Sequence, residues 1–122
     1  MPRSPHRSTI AIILGAAILN VAAMMPGLTA TAWAADEVRD LVIRNHRFEP
    51  PEIRLPANTA AQITVRNLDK TAEEFESKSL KIEKIVPGGG QALIRIRPLA
   101  KGRYEFFGEY NEKTAHGVLV VE

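Results

Sequence analysis

Glu73, Glu74 and Glu76 fall within four residues of chain, and Glu109 and His116 lie in a second polar segment, YEFFGEYNEKTAHGVLVV, from Tyr104 to Val121. Carboxylates and an imidazole supply oxygen and nitrogen donors. Such a set is hard to borderline in character and suits iron, copper(II), zinc or manganese, while suiting copper(I) poorly. Each residue also has a plainer reading: a run of glutamates is by base rate a solvated loop, and His116 is equally a satisfied loop histidine. Sulfur chemistry is closed to this chain. It has no cysteine, and its three methionines, Met1, Met24 and Met25, all lie in the first 25 residues. No nucleophilic triad, zinc-finger spacing or phosphate cradle is present, since Gly88-Gly89-Gly90 follows Pro87 and precedes a strand pattern, as a turn does.

The elements that must position these donors begin after a leader. Arg3 and Arg7, the apolar run Ile10 to Met25 and the small residues flanking Trp33 in Ala32-Trp33-Ala34 predict a cleaved signal peptide over residues 1–34, hence export to the periplasm. The run is short for a membrane span. Of the 16 basic residues, the two leader arginines leave with it, so the remaining 14 balance the 14 acids. A balanced surface offers no phosphate-tracking stripe, and nucleic acid is excluded as a partner. Residues 35–122 form one small domain that has no disulfide to offset its limited core.

Within that domain, short β-branched and aromatic runs are broken by Pro, Gly, Asn and Asp. Leu41–Arg44, Ile53–Leu55, Gln62–Asn67, Ser79–Val86, Ala92–Arg97, Arg103–Glu109 and Gly117–Val121 read as strands, with a bend at Phe48–Pro51. Ala92–Arg97 has the clearest period of two, placing Ile94 and Ile96 inward and Arg95 and Arg97 outward. About seven strands without a helical stretch predict an all-β sandwich. Tyr104, two residues after Gly102, suits a tyrosine corner, and Phe48, Phe75, Phe106 and Phe107 are expected in the core or a pocket wall.

Three segments in order, NHRFEP (Asn45–Pro50), VRNLDKTAEEF (Val65–Phe75) and the Tyr104–Val121 stretch, resemble the cupredoxin family over the whole domain. The resemblance implies a cupredoxin-like Greek-key β-sandwich. It also implies ligand positions that this chain does not fill: Glu73-Glu74-Phe75-Glu76 surrounds the expected first histidine, Gly108 stands for the cysteine, Asn111 for the second histidine, and His116 falls near the methionine. A type 1 blue-copper centre, which needs a thiolate, is therefore excluded. EEFES, PGGG and GRYEFFGEY look like the EfeO-type branch, with small periplasmic proteins of the FtrB kind associated with bacterial iron uptake.

That likeness implies metal handling through carboxylates and histidine, with the two distant segments meeting at one pole of the sandwich. The implied metal ligands are Glu74, Glu76, Glu109 and His116; Glu73 is expected to face water and His46 to lie at the surface. The implied function is a periplasmic accessory that binds iron, copper(II) or both, with copper assisting oxidation of ferrous ion, and that serves a membrane iron permease without independent turnover. The alternative is a metal-free sandwich that docks on a membrane complex through its loops.

Overall fold

The computed structural model describes residues 35–122; the signal peptide expected over residues 1–34 lies outside the described residues. Strand β4 (Ala61–Asn67) shows how the sequence builds the sandwich: Ala61, Ile63, Val65 and Asn67 are buried while the residues between them face outward. Its partner β7 (Gln91–Ile96) repeats the alternation with Ala92, Ile94 and Ile96. With β1 (Glu37–Arg44) and the short β2 (Arg47–Glu49) they form a four-stranded sheet in the order β2-β1-β4-β7. The second sheet contains β3 (Glu52–Leu55), β5 (Glu73–Ser77), β6 (Ile82–Val86), β8 (Gly102–Gly108) and β9 (His116–Val121) in the order β3-β9-β8-β5-β6. Pairing is antiparallel except for β1 with β4 and β3 with β9. A 3-10 turn, Glu109–Asn111, follows β8.

The core lies between the inward faces of these sheets and is dominated by three rings. Phe75 and Phe106 stack with centroids 4.9 Å apart, and Phe48 meets both edge-on at 6.0 and 5.1 Å. Burial of each ring contributes about 1.5–3 kcal/mol, and the ring pairs add about 0.5–1.5 kcal/mol each. Phe107 departs from the expected core set. It points to the outer face of the five-stranded sheet, 5.5 Å from the Lys78 ammonium. Tyr104 does form the tyrosine corner, its hydroxyl donating to the Ala100 carbonyl at 2.8 Å.

The all-β reading holds, with nine strands among the described residues where the sequence predicts about seven. β2 takes the start of the predicted bend, because Phe48 packs inward between exposed Arg47 and Glu49. β5 lies where the sequence suggests only a glutamate-rich loop. The strand expected from Ser79 begins at Ile82, after a turn in which Lys81 has φ of 56°.

Candidate metal-binding face

β5 decides what each glutamate does. Strand period fixes Phe75 in the core, so its neighbours at two-residue spacing, Glu73 and Ser77, also turn inward, while Glu74 and Glu76 turn out. Glu73 is 1% exposed, which overturns the expectation that it faces water. Its Oε1 accepts the N–H groups of Glu74 at 3.0 Å and Tyr110 at 2.9 Å, and its Oε2 accepts the Asn111 amide at 2.7 Å. Ser77 donates to the Glu105 carbonyl at 2.7 Å.

On the outer face, register sets the layout. Glu76 lies opposite Glu83 of β6 on one side and Phe107 of β8 on the other, and Phe107 lies opposite His116 of β9. Residues opposite one another share a face, so His116, Phe107, Glu76 and Glu83 make one row across the sheet. Carboxylate oxygens of Glu74, Glu76 and Glu83 all lie within 4.8 Å of one another. Glu109, at the start of the 3-10 turn, sets its carboxyl close enough to Glu76 to raise it, and the Tyr110 hydroxyl neighbours Glu74. Three of the four residues singled out in the sequence, Glu74, Glu76 and Glu109, thus meet on this face. His116 is set apart by the width of β8, about two strand spacings or ~10 Å from Glu76 at the backbone. It lies instead in a shallow hollow with Pro51, Arg103, Glu105 and Phe107.

Glu83 escapes a reading of the sequence because Ser79–Val86 shows only the alternation of a strand. Pairing that strand with the EEFES segment would set Glu83 against Glu76. Glu73 escapes it because a glutamate in a run of glutamates reads as solvated, although Phe75 two residues on carries the signal for its inward direction.

The electrostatics follow from this crowding. The hydrogen-bonded carboxyl of Glu109 is the main cause that pushes Glu76 up from 4.5 to about 7; partial desolvation and the charges of Glu109 and Glu83 add to it, and Lys78 opposes it. A carboxyl raised in the folded state binds its proton more readily there than in the unfolded chain. Its contribution to stability is full below pH 4.5 and is lost as pH rises through about 7. We therefore expect the melting temperature of the metal-free protein to decline between those values, and Glu76→Gln to flatten the decline; an equal slope in that variant excludes Glu76 as its source.

At the adjacent end of the sandwich, Asp69 accepts the backbone N–H groups of Asn45 at 2.8 Å and His46 at 2.9 Å. These two bonds, His46 first, hold the Asp69 carboxyl below its ordinary 3.8 against the opposing effect of burial. His46 itself is surface-exposed, as expected, with Nδ1 3.6 Å from Asp69.

A blue-copper centre does not fit these residues. There is no thiolate, and a side chain at Gly108 would begin 2.6 Å from the Glu73 carboxyl carbon and 2.7 Å from the Ala115 methyl. The donors of the glutamate cluster are all oxygens and fit a hard or borderline cation.

Residues 11–121 match the family model described as "Cupredoxin-like domain". An uncharacterized protein of Rickettsia prowazekii (strain Madrid E) is 38% identical over 81 residues, covering 66% of this chain and 65% of that protein, so the chain spans just under two thirds of that relative's length. Among solved structures, the metal-binding domain of the Cu(I)-exporting P-type ATPase CopA of Streptococcus pneumoniae D39, with Cu(I), superposes with a TM-score of 0.58 at 18% identity over 74% of this chain and 99% of that one. Auracyanin A, a "blue" copper protein from Chloroflexus aurantiacus, gives 0.61 at 12% identity over 70% and 99%. At such identities the likeness speaks for the fold alone.

Proposed function

Since the chain belongs to the cupredoxin-like domain family, we propose that it is an exported, periplasmic metal-binding accessory whose cation sits on the glutamate face of the sandwich. The observation that carries this reading is the convergence of Glu74, Glu76 and Glu83 within 4.8 Å, with the Glu109 carboxyl beside Glu76. Like charges held this close repel unless a proton or a cation intervenes, so a metal ion that displaces the Glu76 proton relieves the repulsion. The all-oxygen donor set favours iron or copper(II) over copper(I). In the finer form of the proposal the protein serves a membrane iron permease, copper assisting the oxidation of ferrous ion; the EfeO-type segments EEFES and GRYEFFGEY support that role.

Calorimetric titration with ferrous, ferric and cupric ions tests the site. Glu76→Ala combined with Glu83→Ala is expected to weaken binding at least ~10-fold, the scale of a lost ligand. Because the cation must displace the Glu76 proton, affinity is expected to rise between pH 6 and 8, around the value of about 7. Unchanged affinity in the double variant removes the face as a metal site, and a loss confined to His116→Ala moves the site to the Phe107 hollow.

A second reading, a metal-free module docking on a membrane complex, is favoured by one observation: the pole that the resemblance assigns to copper is filled by Glu73. Association with the membrane fraction that persists with chelator and in the Glu76/Glu83 double variant supports it.

A further inference from the structure

Glu73 is the one charged side chain buried among the described residues, and it is buried at a joint. Its carboxylate reaches from β5 to the 3-10 turn between β8 and β9, where it accepts Tyr110 N–H and the Asn111 amide. All its partners donate, so both oxygens act as acceptors and no polar atom is left unpaired. Gly108 and Ala115 close over it: Gly108 N–H donates to the Ala115 carbonyl at 2.9 Å, and the bare α-carbon of Gly108 leaves just the room the carboxyl group takes. The same end is stitched further by Asp69 on the Asn45–His46 turn and by Thr114, whose hydroxyl donates to the His46 carbonyl at 2.6 Å.

We infer that Glu73 is an internal clasp that takes the place of a metal ion at this pole, fastening β5 to the β8–β9 connection through hydrogen bonds. A metal with ligands from both segments joins them by coordination; here a carboxylate from one segment meets donors from the other. The pole is therefore complete without a metal and closed to one, and any cation binding is confined to the outer face of the sheet. This inference does not rest on the proposed function. It stands equally if the outer face binds nothing.

The test uses a Glu76→Ala/Glu83→Ala/His116→Ala background, which removes both the glutamate cluster and the Phe107 hollow as sources of metal effects. In that background the melting temperature is expected to be unmoved by copper(I), copper(II) or chelator. Adding Glu73→Ala is expected to lower it by about 10 °C, the loss of a charged hydrogen-bonding group from a domain of this size, and to speed exchange of the Tyr110 amide proton at least ~10-fold, since that N–H loses its acceptor. Glu73→Gln, which keeps one acceptor oxygen, is expected to preserve most of the Tyr110 protection. If Glu73→Ala does not fold, Asn111→Ala carries the test. It deletes only the Oε2 donor and is expected to lower the melting temperature by about 5 °C while leaving amide exchange in β4 and β7 unchanged. A copper-induced rise in melting temperature in the parent background that vanishes with Glu73→Ala overturns the inference, as does Tyr110 exchange indifferent to Glu73, or an Asn111→Ala variant as stable as its parent.

Discussion

Gly117→Ala is expected to lower stability by about 3 kcal/mol, at the upper end of what overpacking costs, and the melting temperature of this small domain by about 15 °C. Gly117 lies in β9 directly opposite Phe106 of β8, and both face the core. The end of the Phe106 ring occupies the space above the Gly117 α-carbon, so an added methyl would overlap its Cζ and Cε2 and stand 3.0 Å from Cε1. The ring has nowhere to retreat, because Phe75 stacks on it at 4.9 Å and Phe48 abuts it at 5.1 Å. Displacing one ring therefore disturbs all three. Thermal unfolding measures the loss, and a double-mutant cycle with Phe106→Leu identifies its cause: once the ring is replaced by the smaller side chain, the added methyl should cost distinctly less. A Gly117→Ala protein as stable as the parent would mean that the aromatic cluster is loosely packed.

How much of this was legible in the sequence depended on what each strand buries. β4 and β7 bury aliphatic side chains at alternate positions, and their alternation could be read directly. β5 buries Glu73, Phe75 and Ser77, so two of its three inward residues carry the signature of a loop. Polar side chains face inward there because hydrogen-bond partners wait for them: Tyr110 N–H and Asn111 for Glu73, the Glu105 carbonyl for Ser77. Those partners lie 28 to 38 residues away in sequence, and no local pattern announces them. The same long-range pairing explains the candidate face. That Glu74 and Glu76 point the same way is a matter of period two, but the arrival of Glu83 and the exclusion of His116 depend on strand order. Placing β8 between β5 and β9 sets Phe107 between the carboxylates and the imidazole.

The functional picture separates two jobs that a metal-holding sandwich combines at one place. Structural closure of the loop end is done by Glu73 and Asp69 as acceptors of backbone and amide N–H groups, whereas the carboxylates proposed to take a cation stand on the sheet face with Glu76 raised to about 7. Under the proposed function, loading or releasing a cation at the face leaves the hydrogen bonds of Glu73 and Asp69 in place. Conversely, substitutions that open the loop end should unfold the domain before they alter affinity at the face.

Asn67 is the sharpest case of that second kind, and Asn67→Ala is expected to cost about 3 kcal/mol, roughly 1 kcal/mol or more for each of three hydrogen bonds it makes from a buried position. It is 1% exposed at the end of β4. Its amide donates to the Thr71 carbonyl at 2.8 Å and the Val86 carbonyl at 3.2 Å, and its side-chain oxygen accepts Asp69 N–H at 3.0 Å. One side chain thus fixes the β4–β5 connection, the end of β6 and, through Asp69, the Asn45–His46 turn. The Pro87–Gly90 turn presses on the same connection: Gly89 N–H donates to the Asp69 carbonyl at 2.8 Å, and a side chain at Gly88 would run into the Lys70 carbonyl. Alanine leaves two carbonyls and one N–H without their partner, the Val86 carbonyl fully buried, so the melting temperature is expected to fall by about 15 °C. Asn67→Asp separates the two halves of the argument. It keeps the acceptor for Asp69 N–H but sets an acceptor against both carbonyls, so it should rescue little of the loss and become worse as pH rises and the new carboxyl ionises. An Asn67→Asp protein as stable as the parent at neutral pH would show that the two donated bonds contribute nothing and that the connection is held by its backbone alone.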